Sequence, residues 1–217
     1  MHFNLLLFSD VINIYLNIMS NQTLTLRKDL RTQRRKLSAL QQRHSEIHAL
    51  QQLIQHPKFK IAQKIGIYLD NFGELSTKKM IKYCFKMRKE VYLPTICNMN
   101  NILVWVKISQ HQFNNQRFVM HRLGMLEPVA TRGVHVSNLD ILLMPLLACD
   151  VTGTRMGMGG GFYDRTLASA PFKPYRLGLA HDFQFLQQKL RRNPWDQPLH
   201  ALITPTRSIR FQCQICQ

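Results

Sequence analysis

From Leu24 to about Gln55, apolar residues recur at Leu26, Leu30, Leu37, Leu40, Ile47, Leu50 and Ile54. The spacing is close to 3.6 residues and predicts one long amphipathic helix. Arg27, Arg31 and Arg34 stand at i, i+4 and i+7 and share a second face. His56-Pro57 ends the helix. "KIGIYL" (64–69) then reads as a buried strand and "DNFGEL" as a turn. "STKKMIKYCFKM" reads as a helix with Ser76 as its cap. "EVYLPTI" (90–96) and "ILVWVKI" (102–108) are the next strands. "LDILLMPLLACD" (139–150) is a long apolar strand placed centrally, and "FYDRTLASA" opens a helix. "YRLGLAHD" and "HALITPT" supply two last strands, separated by a short helix around 183–190. Strand, helix and strand in succession indicate an α/β domain with a mostly parallel sheet. No repeat, linker or composition shift divides the chain. The expected organisation is one domain over 19–208, a leader or misassigned start over 1–18, and a tail over 209–217.

Composition supports a folded chain. Apolar residues make up 45% of 217, enough to bury a sizeable core. The formal net charge is +17, from 29 Lys+Arg against 12 Asp+Glu. That favours anionic partners, yet the charges are dispersed and no run of five like charges occurs, so most read as solvated surface. Residues 1–18 are apolar but interrupted by Asp10 and several Asn, with neither a basic start nor a small-residue cleavage site. Neither a secretory signal nor a membrane span is expected, and the chain is placed in the cytoplasm. Five cysteines at irregular spacing make a poor disulfide framework and agree with a reducing compartment. Cys213 and Cys216 have redox or zinc spacing but no second ligand pair, and read as tail. The nine His residues are scattered without the spacing of a zinc site.

The chemistry concentrates in "GTRMGMGGGFYDR", from Gly153 to Arg165, which holds five of the ten glycines. A glycine turn after a buried strand and before a helix lets backbone N–H groups surround an anion. The helix N-terminus adds partial positive charge. No Gly-Lys-Ser/Thr follows, so this is not the Walker pattern, and the placement does not suit a Rossmann fingerprint. A tight helix–sheet turn is the plain structural alternative. Arg155 and Arg165 can neutralise phosphate oxygens, Tyr163 offers a hydroxyl, and Asp164 is a hard oxygen donor of the kind that holds Mg²⁺ beside phosphates. Together they describe a nucleoside triphosphate with its magnesium.

"PLLACDVTGTRMGMGGGFYDRTL" resembles the signature of the 5-formyltetrahydrofolate cyclo-ligase family, also called methenyltetrahydrofolate synthetases. "LRKDLRTQRRKLS", "IGIYLDNFGELST", "VYLPTI", "LGMLEP" and "WDQPLHALITPT" match further family segments in order, over roughly Leu24 to Thr206. The resemblance implies a three-layer α/β domain of the sugar-phosphate isomerase and CoA-transferase type. It implies conversion of 5-formyltetrahydrofolate to 5,10-methenyltetrahydrofolate with ATP as co-substrate and Mg²⁺, by a monomer without a specific nucleic acid or membrane partner. By position, Arg27 and Arg31 would contact ATP phosphates. Arg155, Met156, Gly157, Met158, Gly159, Gly160, Gly161, Phe162 and Tyr163 would form the ATP loop. Met158, Gly159, Gly160, Gly161 and Phe162 would also face the folate, with Leu69 and Glu74 on its pterin side. Arg155, Tyr163 and Glu74 would serve catalysis, and Asp164 and Asp196 the magnesium. Arg27 stands where several relatives have lysine, Cys149 replaces a common Phe, and Leu123 sits where an aromatic often stacks on the folate.

Plainer readings apply to single residues. Tyr68 and Trp105 suit core packing, Glu74 suits a helix cap, and Asp196 suits a turn. Two other function classes fit parts of the chain. One is a basic nucleic-acid-binding protein, which would need aromatic-basic interleaving that is missing here. The other is an ATP-binding relative with a changed substrate, for which Leu123 is the best support.

Overall fold

The computed structural model describes residues 21–97, 99–129 and 132–212. The leader over 1–18 and the Cys213/Cys216 pair lie outside the described residues. Helix α1 covers 21–35 of these, and α2 spans Ala39–Gln55. There follow α3 (Pro57–Ile61), β1 (Lys64–Gly66), α4 (Lys78–Lys86), β2 (Glu90–Cys97), β3 (Ile102–Ile108) and α5 (Gln110–Asn114). A hairpin of β4 (Phe118–Met120) and β5 (Leu126–Pro128) leads to β6 (Ile141–Pro145), β7 (Ala148–Asp150) and β8 (Arg155–Met156). The chain closes with α6 (Phe162–Ala168), β9 (Tyr175–Leu179), β10 (Phe185–Leu186), β11 (Ala201–Ile203) and β12 (Ser208–Arg210).

A seven-stranded sheet runs in the order β12-β11-β9-β6-β1-β2-β3. Its five inner strands are parallel, and only the edge strands β3 and β12 are antiparallel to their neighbours. A sheet buried on both faces needs apolar residues at every position, and β6 supplies them. Ile141 and Leu143 face a core with Ala49 and Leu53 of α2 and Met80, Ile81 and Cys84 of α4. Leu142 and Met144 face the opposite core, with Trp105 and with Leu167 of α6. Helices thus cover both faces of the expected α/β sheet, and Trp105 is wholly buried, as the packing reading held. A smaller sheet, β10-β7-β8, packs against Leu30 of α1.

Several boundaries differ from expectation for local reasons. The first helix is two helices, because Ser38 accepts from the Gln41 amide at 3.2 Å while Gln41 Oε1 accepts from the Ser38 amide at 2.8 Å. This capping box starts α2 afresh. Ser76 is not the cap of α4. Its hydroxyl donates to Glu46 Oε1 at 2.9 Å, and Thr77 takes the cap position without a side-chain cap bond. The apolar run 139–150 is not one strand: β6 ends at Pro145, and β7 resumes at Ala148 in the other sheet. No α-helix forms over 183–190, where a 3-10 turn at Asp182–Gln184 passes into β10. β12 crosses the boundary placed at 208 and extends the sheet.

Candidate active site

A cleft of about 1580 Å³ opens beside the C-terminal ends of the parallel strands. Drug-sized pockets run to roughly 1,000 Å³, so this one has room for two ligands side by side. One wall is the segment Thr154–Arg165. Gly159 (φ 100) and Gly161 (φ 64) adopt left-handed backbone that L side chains rarely accept. A Cβ on Gly159 would meet nothing within 4 Å, so the bare backbone there faces open cleft. Gly161 is the N-cap residue of α6, which has no side-chain cap. Arg165 folds back to donate to the Gly160 carbonyl at 2.7 Å, bracing the loop.

Arg155 and Asp164 face each other across the loop. Arg155 Nη2 donates to Asp164 Oδ2 at 2.9 Å, with side chains only 5% and 20% exposed. The guanidinium carbon lies 5.4 Å from the centre of the Tyr163 ring, a cation–π contact. Arg155 Nε is buried with no hydrogen-bond partner among the described residues. Asp164 Oδ1 accepts from the Gln197 amide at 3.1 Å, which ties the loop to the segment carrying Asp196. Asp196 lines the same cleft and accepts from the Asn193 amide at 2.7 Å.

The opposite wall is the turn after β1. Leu69, Asn71, Phe72 and Glu74 line it, with Tyr68 behind. Tyr68 serves core and cleft together: it is 4% exposed, and its hydroxyl donates to the Leu75 carbonyl at 3.0 Å. Glu74 Oε2 accepts from the Asn71 amide at 3.1 Å. Burial pushes the Glu74 carboxyl up to about 7, against the lowering influence of Arg34 and the Asn71 amide. Burial, reinforced by the Glu74 charge, pushes the Tyr163 phenol up. The two walls therefore influence each other across the cleft. The β4–β5 hairpin forms the roof with Leu123, Met125 and Leu126. It is pinned by Glu127, whose Oε1 accepts from the Ile96 amide at 2.9 Å, and by a bond from Asn71 to the Gly124 carbonyl. Leu123 is half exposed on this roof.

The structure brings together Arg27, Leu69, Glu74, all of Arg155–Asp164 and Asp196. Arg31 does not line the cleft; it lies on α1 beside Arg34, near enough to disfavour that charge. The stretch 186–194, just before the matched "WDQPLHALITPT", was missed by sequence reasoning. Leu186, Gln188, Lys189, Leu190, Arg191 and Asn193 all line the cleft. It is held by Asp150, whose carboxylate accepts from the amides of Leu190 (2.8 Å), Thr152 (2.8 Å) and Thr154 (2.9 Å). Arg192 adds bonds to Thr152 and Thr154. The only sequence signal was a buried acid ending an apolar run, just before the glycines.

No group of three or more metal-ligating side chains occurs among the described residues. Mg²⁺ rarely needs one, since it keeps waters and binds through one or two carboxylates plus substrate phosphates. Asp164 and Asp196 fit that mode, because each carboxylate retains lone pairs beyond the contacts above.

A family model described as the 5-formyltetrahydrofolate cyclo-ligase family matches residues 19–205. The 5-formyltetrahydrofolate cyclo-ligase of Escherichia coli strain K12 is 37% identical over 183 residues, covering 82% of this chain and 97% of its own. That of Haemophilus influenzae is 33% identical over 188 residues, covering 82% and 95%. Among solved structures, Aquifex aeolicus 5,10-methenyltetrahydrofolate synthetase aligns with a TM-score of 0.74 at 27% identity, covering 90% of this chain and 95% of that one. The Mycoplasma pneumoniae synthetase aligns at 0.67 with 21% identity, over 84% and 98%, a likeness of fold.

Proposed function

This chain belongs to the 5-formyltetrahydrofolate cyclo-ligase family and is a ligase, and on that premise we propose how its cleft closes the folate ring. ATP lies along Arg155–Tyr163, with Arg27 of α1 reaching its phosphates and Arg31 supporting from behind. The pterin end of 5-formyltetrahydrofolate lies against Leu69 and Glu74, and the loop residues Met158–Phe162 face both ligands. The observation that carries this reading is that the glycine loop and the acidic turn line one shared cleft.

An N-formyl amide is a poor electrophile. Transfer of the γ-phosphoryl group to the formyl oxygen makes that oxygen a leaving group. N10 of the same folate attacks the formyl carbon and loses its proton, the carbon–oxygen bond breaks, and phosphate departs beside ADP. Both nucleophiles belong to the substrate, so the protein positions and neutralises charge. Arg155, once drawn from Asp164 toward phosphate, offers a planar fork of donors. The Tyr163 hydroxyl, kept protonated by burial, is a donor at the same place. Glu74 holds the pterin ring and orients it. Asp164 and Asp196 would hold magnesium, which would supply positive charge to neutralise the phosphates. The protein acts as a monomer in the cytoplasm, needing no nucleic acid or membrane. Buried free thiols at Cys84 and Cys149 suit a reducing compartment, and no described helix is long and apolar enough to cross a membrane.

The test mixes purified protein with 5-formyltetrahydrofolate, ATP and Mg²⁺ and follows the near-ultraviolet absorbance of the methenyl product. Product only with all components supports the reading. Folded protein that binds ATP but makes no product overturns the substrate assignment.

A further inference from the structure

Arg34 is a charged residue that the proposed reaction leaves unused, yet it is enclosed directly behind the acidic turn. Its side chain is 1% exposed. Nε donates to the Phe72 carbonyl at 3.0 Å, and Nη1 donates to the Leu146 carbonyl at 3.4 Å. The same Nη1 stands 3.7 Å from Glu74 Oε1, while Nη2 is buried without a hydrogen-bond partner among the described residues. The turn sits tightly on α1. A Cβ on Gly73 would lie 2.6 Å from the Arg34 carbonyl oxygen, and Gly73 has φ 75. The Gly73 carbonyl also accepts from Gln42 Nε2 at 3.2 Å and lies 3.3 Å from His181 Nε2.

Burying a guanidinium is costly unless it is paired and hydrogen-bonded. Here backbone carbonyls fix its orientation, and Glu74 is its one salt-bridge partner among the described residues. The contact at 3.7 Å is a charge contact, not a bidentate grip, so it leaves the Glu74 oxygens available to a ligand. We propose that Arg34 is a positioning residue for the folate end of the cleft. Its charge, anchored by the Phe72 and Leu146 carbonyls, favours the carboxylate form of Glu74 and aims it at the substrate. The substrate clause rests on the function proposed above; the effect on Glu74 does not.

The groups around Glu74 leave this task to Arg34. Tyr68 and Asp70 flank the turn, and Tyr163 faces it from α6. None of these supplies positive charge. Burial holds the His181 imidazole down at about 4, so it stays neutral at physiological pH. Arg31 and Arg35, on the same helix, act on Arg34. Burial and Asp70 drive the Glu74 carboxyl upward, opposed by Arg34 and the Asn71 amide.

The test uses the whole chain without ligands. With only four glutamates in the sequence, carboxyl-¹³C glutamate labelling gives a simple NMR spectrum, and Glu74→Gln assigns the resonance. Wild type, Arg34→Gln and Arg34→Lys are titrated from pH 4 to 9. Gln keeps a donor for the Phe72 carbonyl and loses the charge, whereas Lys keeps the charge. The expected result is a Glu74 midpoint that rises by about one pH unit or more in Arg34→Gln and returns toward wild type in Arg34→Lys. An unchanged midpoint in folded Arg34→Gln overturns the proposal. Should Arg34→Gln not fold, Arg34→Met takes its place: a raised midpoint supports the charge role, and an unchanged one overturns it. A turnover arm then measures kcat/KM for the folate against pH. The acid limb should move with the NMR midpoint, at unchanged ATP affinity. A midpoint that moves in a wild-type background making no methenyl product sinks the functional reading and leaves the Arg34 role standing.

Discussion

Replacing Glu74 by glutamine should change how stability depends on pH, by an amount the structure sets. Burial raises this carboxyl from an ordinary value of 4.5 to about 7, with Arg34 opposing. The folded state therefore prefers the neutral acid. Glu74 contributes its full stability below about pH 4.5, and that contribution is lost as pH rises through about 7. At 1.36 kcal/mol per pH unit, the loss is about 3 kcal/mol. That is a sizeable part of the 5–15 kcal/mol typical of a domain. Glutamine has the same shape and no charge to lose. The unfolding free energy of Glu74→Gln minus that of wild type should thus grow by about 3 kcal/mol between pH 4.5 and pH 8. His181 and His200 are held down to about 4 by burial and titrate with the opposite sign. Their stability is present above about 6.5 and is lost as pH falls through about 4, but it occurs in both proteins and cancels in the difference. Urea unfolding at pH 4.5, 6 and 8, followed by far-ultraviolet circular dichroism, measures the quantity. A difference that stays constant with pH would refute the reasoning. The same variant should lose folate turnover while gaining stability at pH 8, the trade expected where an ionised group is buried for function.

Three further outcomes follow from the cleft. Asp164→Ala frees Arg155 and removes the Gln197 anchor, and should lower turnover by roughly 10²-fold with the fold retained by circular dichroism; wild-type turnover would remove Asp164 from the site. Gly159→Ala puts a Cβ where φ is 100 and the space is open cleft; it should strain the loop by about 1–2 kcal/mol and raise the KM for ATP more than that for the folate. Asp150→Asn loses charge-assisted bonds to the Leu190, Thr152 and Thr154 amides. Urea unfolding should show it about 1.5–3 kcal/mol less stable, with weaker nucleotide binding as the 186–196 segment loosens.

The sequence carried the sheet well where periodicity and burial agree. "ILVWVKI" is β3 to the residue, and "EVYLPTI" is β2 short by its last position. The parallel centre was legible because its middle strand β6 is apolar at every position, as two-sided burial demands. Failures came where a polar contact decided the backbone. The break at Ser38 depends on a reciprocal cap with Gln41, which helical periodicity does not register. The split of 139–150 into two sheets is invisible to an apolar run, since Leu146 and Leu147 are as buried as the strands they separate. The glycine loop and Glu74 stood out by composition and by resemblance. The stretch 186–194 did not, because it is held at the cleft by bonds to Asp150, Thr152 and Thr154, roughly forty positions earlier.

The polar knots behind the acidic turn join partners far apart along the chain. Arg34 and Leu146 are 112 positions apart, and Gly73 and His181 are 108. A nascent chain emerging from the ribosome makes α1, α2 and β1 early, but His181 and the 186–196 wall must still be synthesised. Contacts of such separation form only after the loop-closure entropy between them has been overcome. The glycine-loop wall and the acidic-turn wall therefore come into register late in folding, and together. A chain cut short before residue 181 would carry the glycine loop, the arginine helix and Glu74, and still have no cleft to put them in.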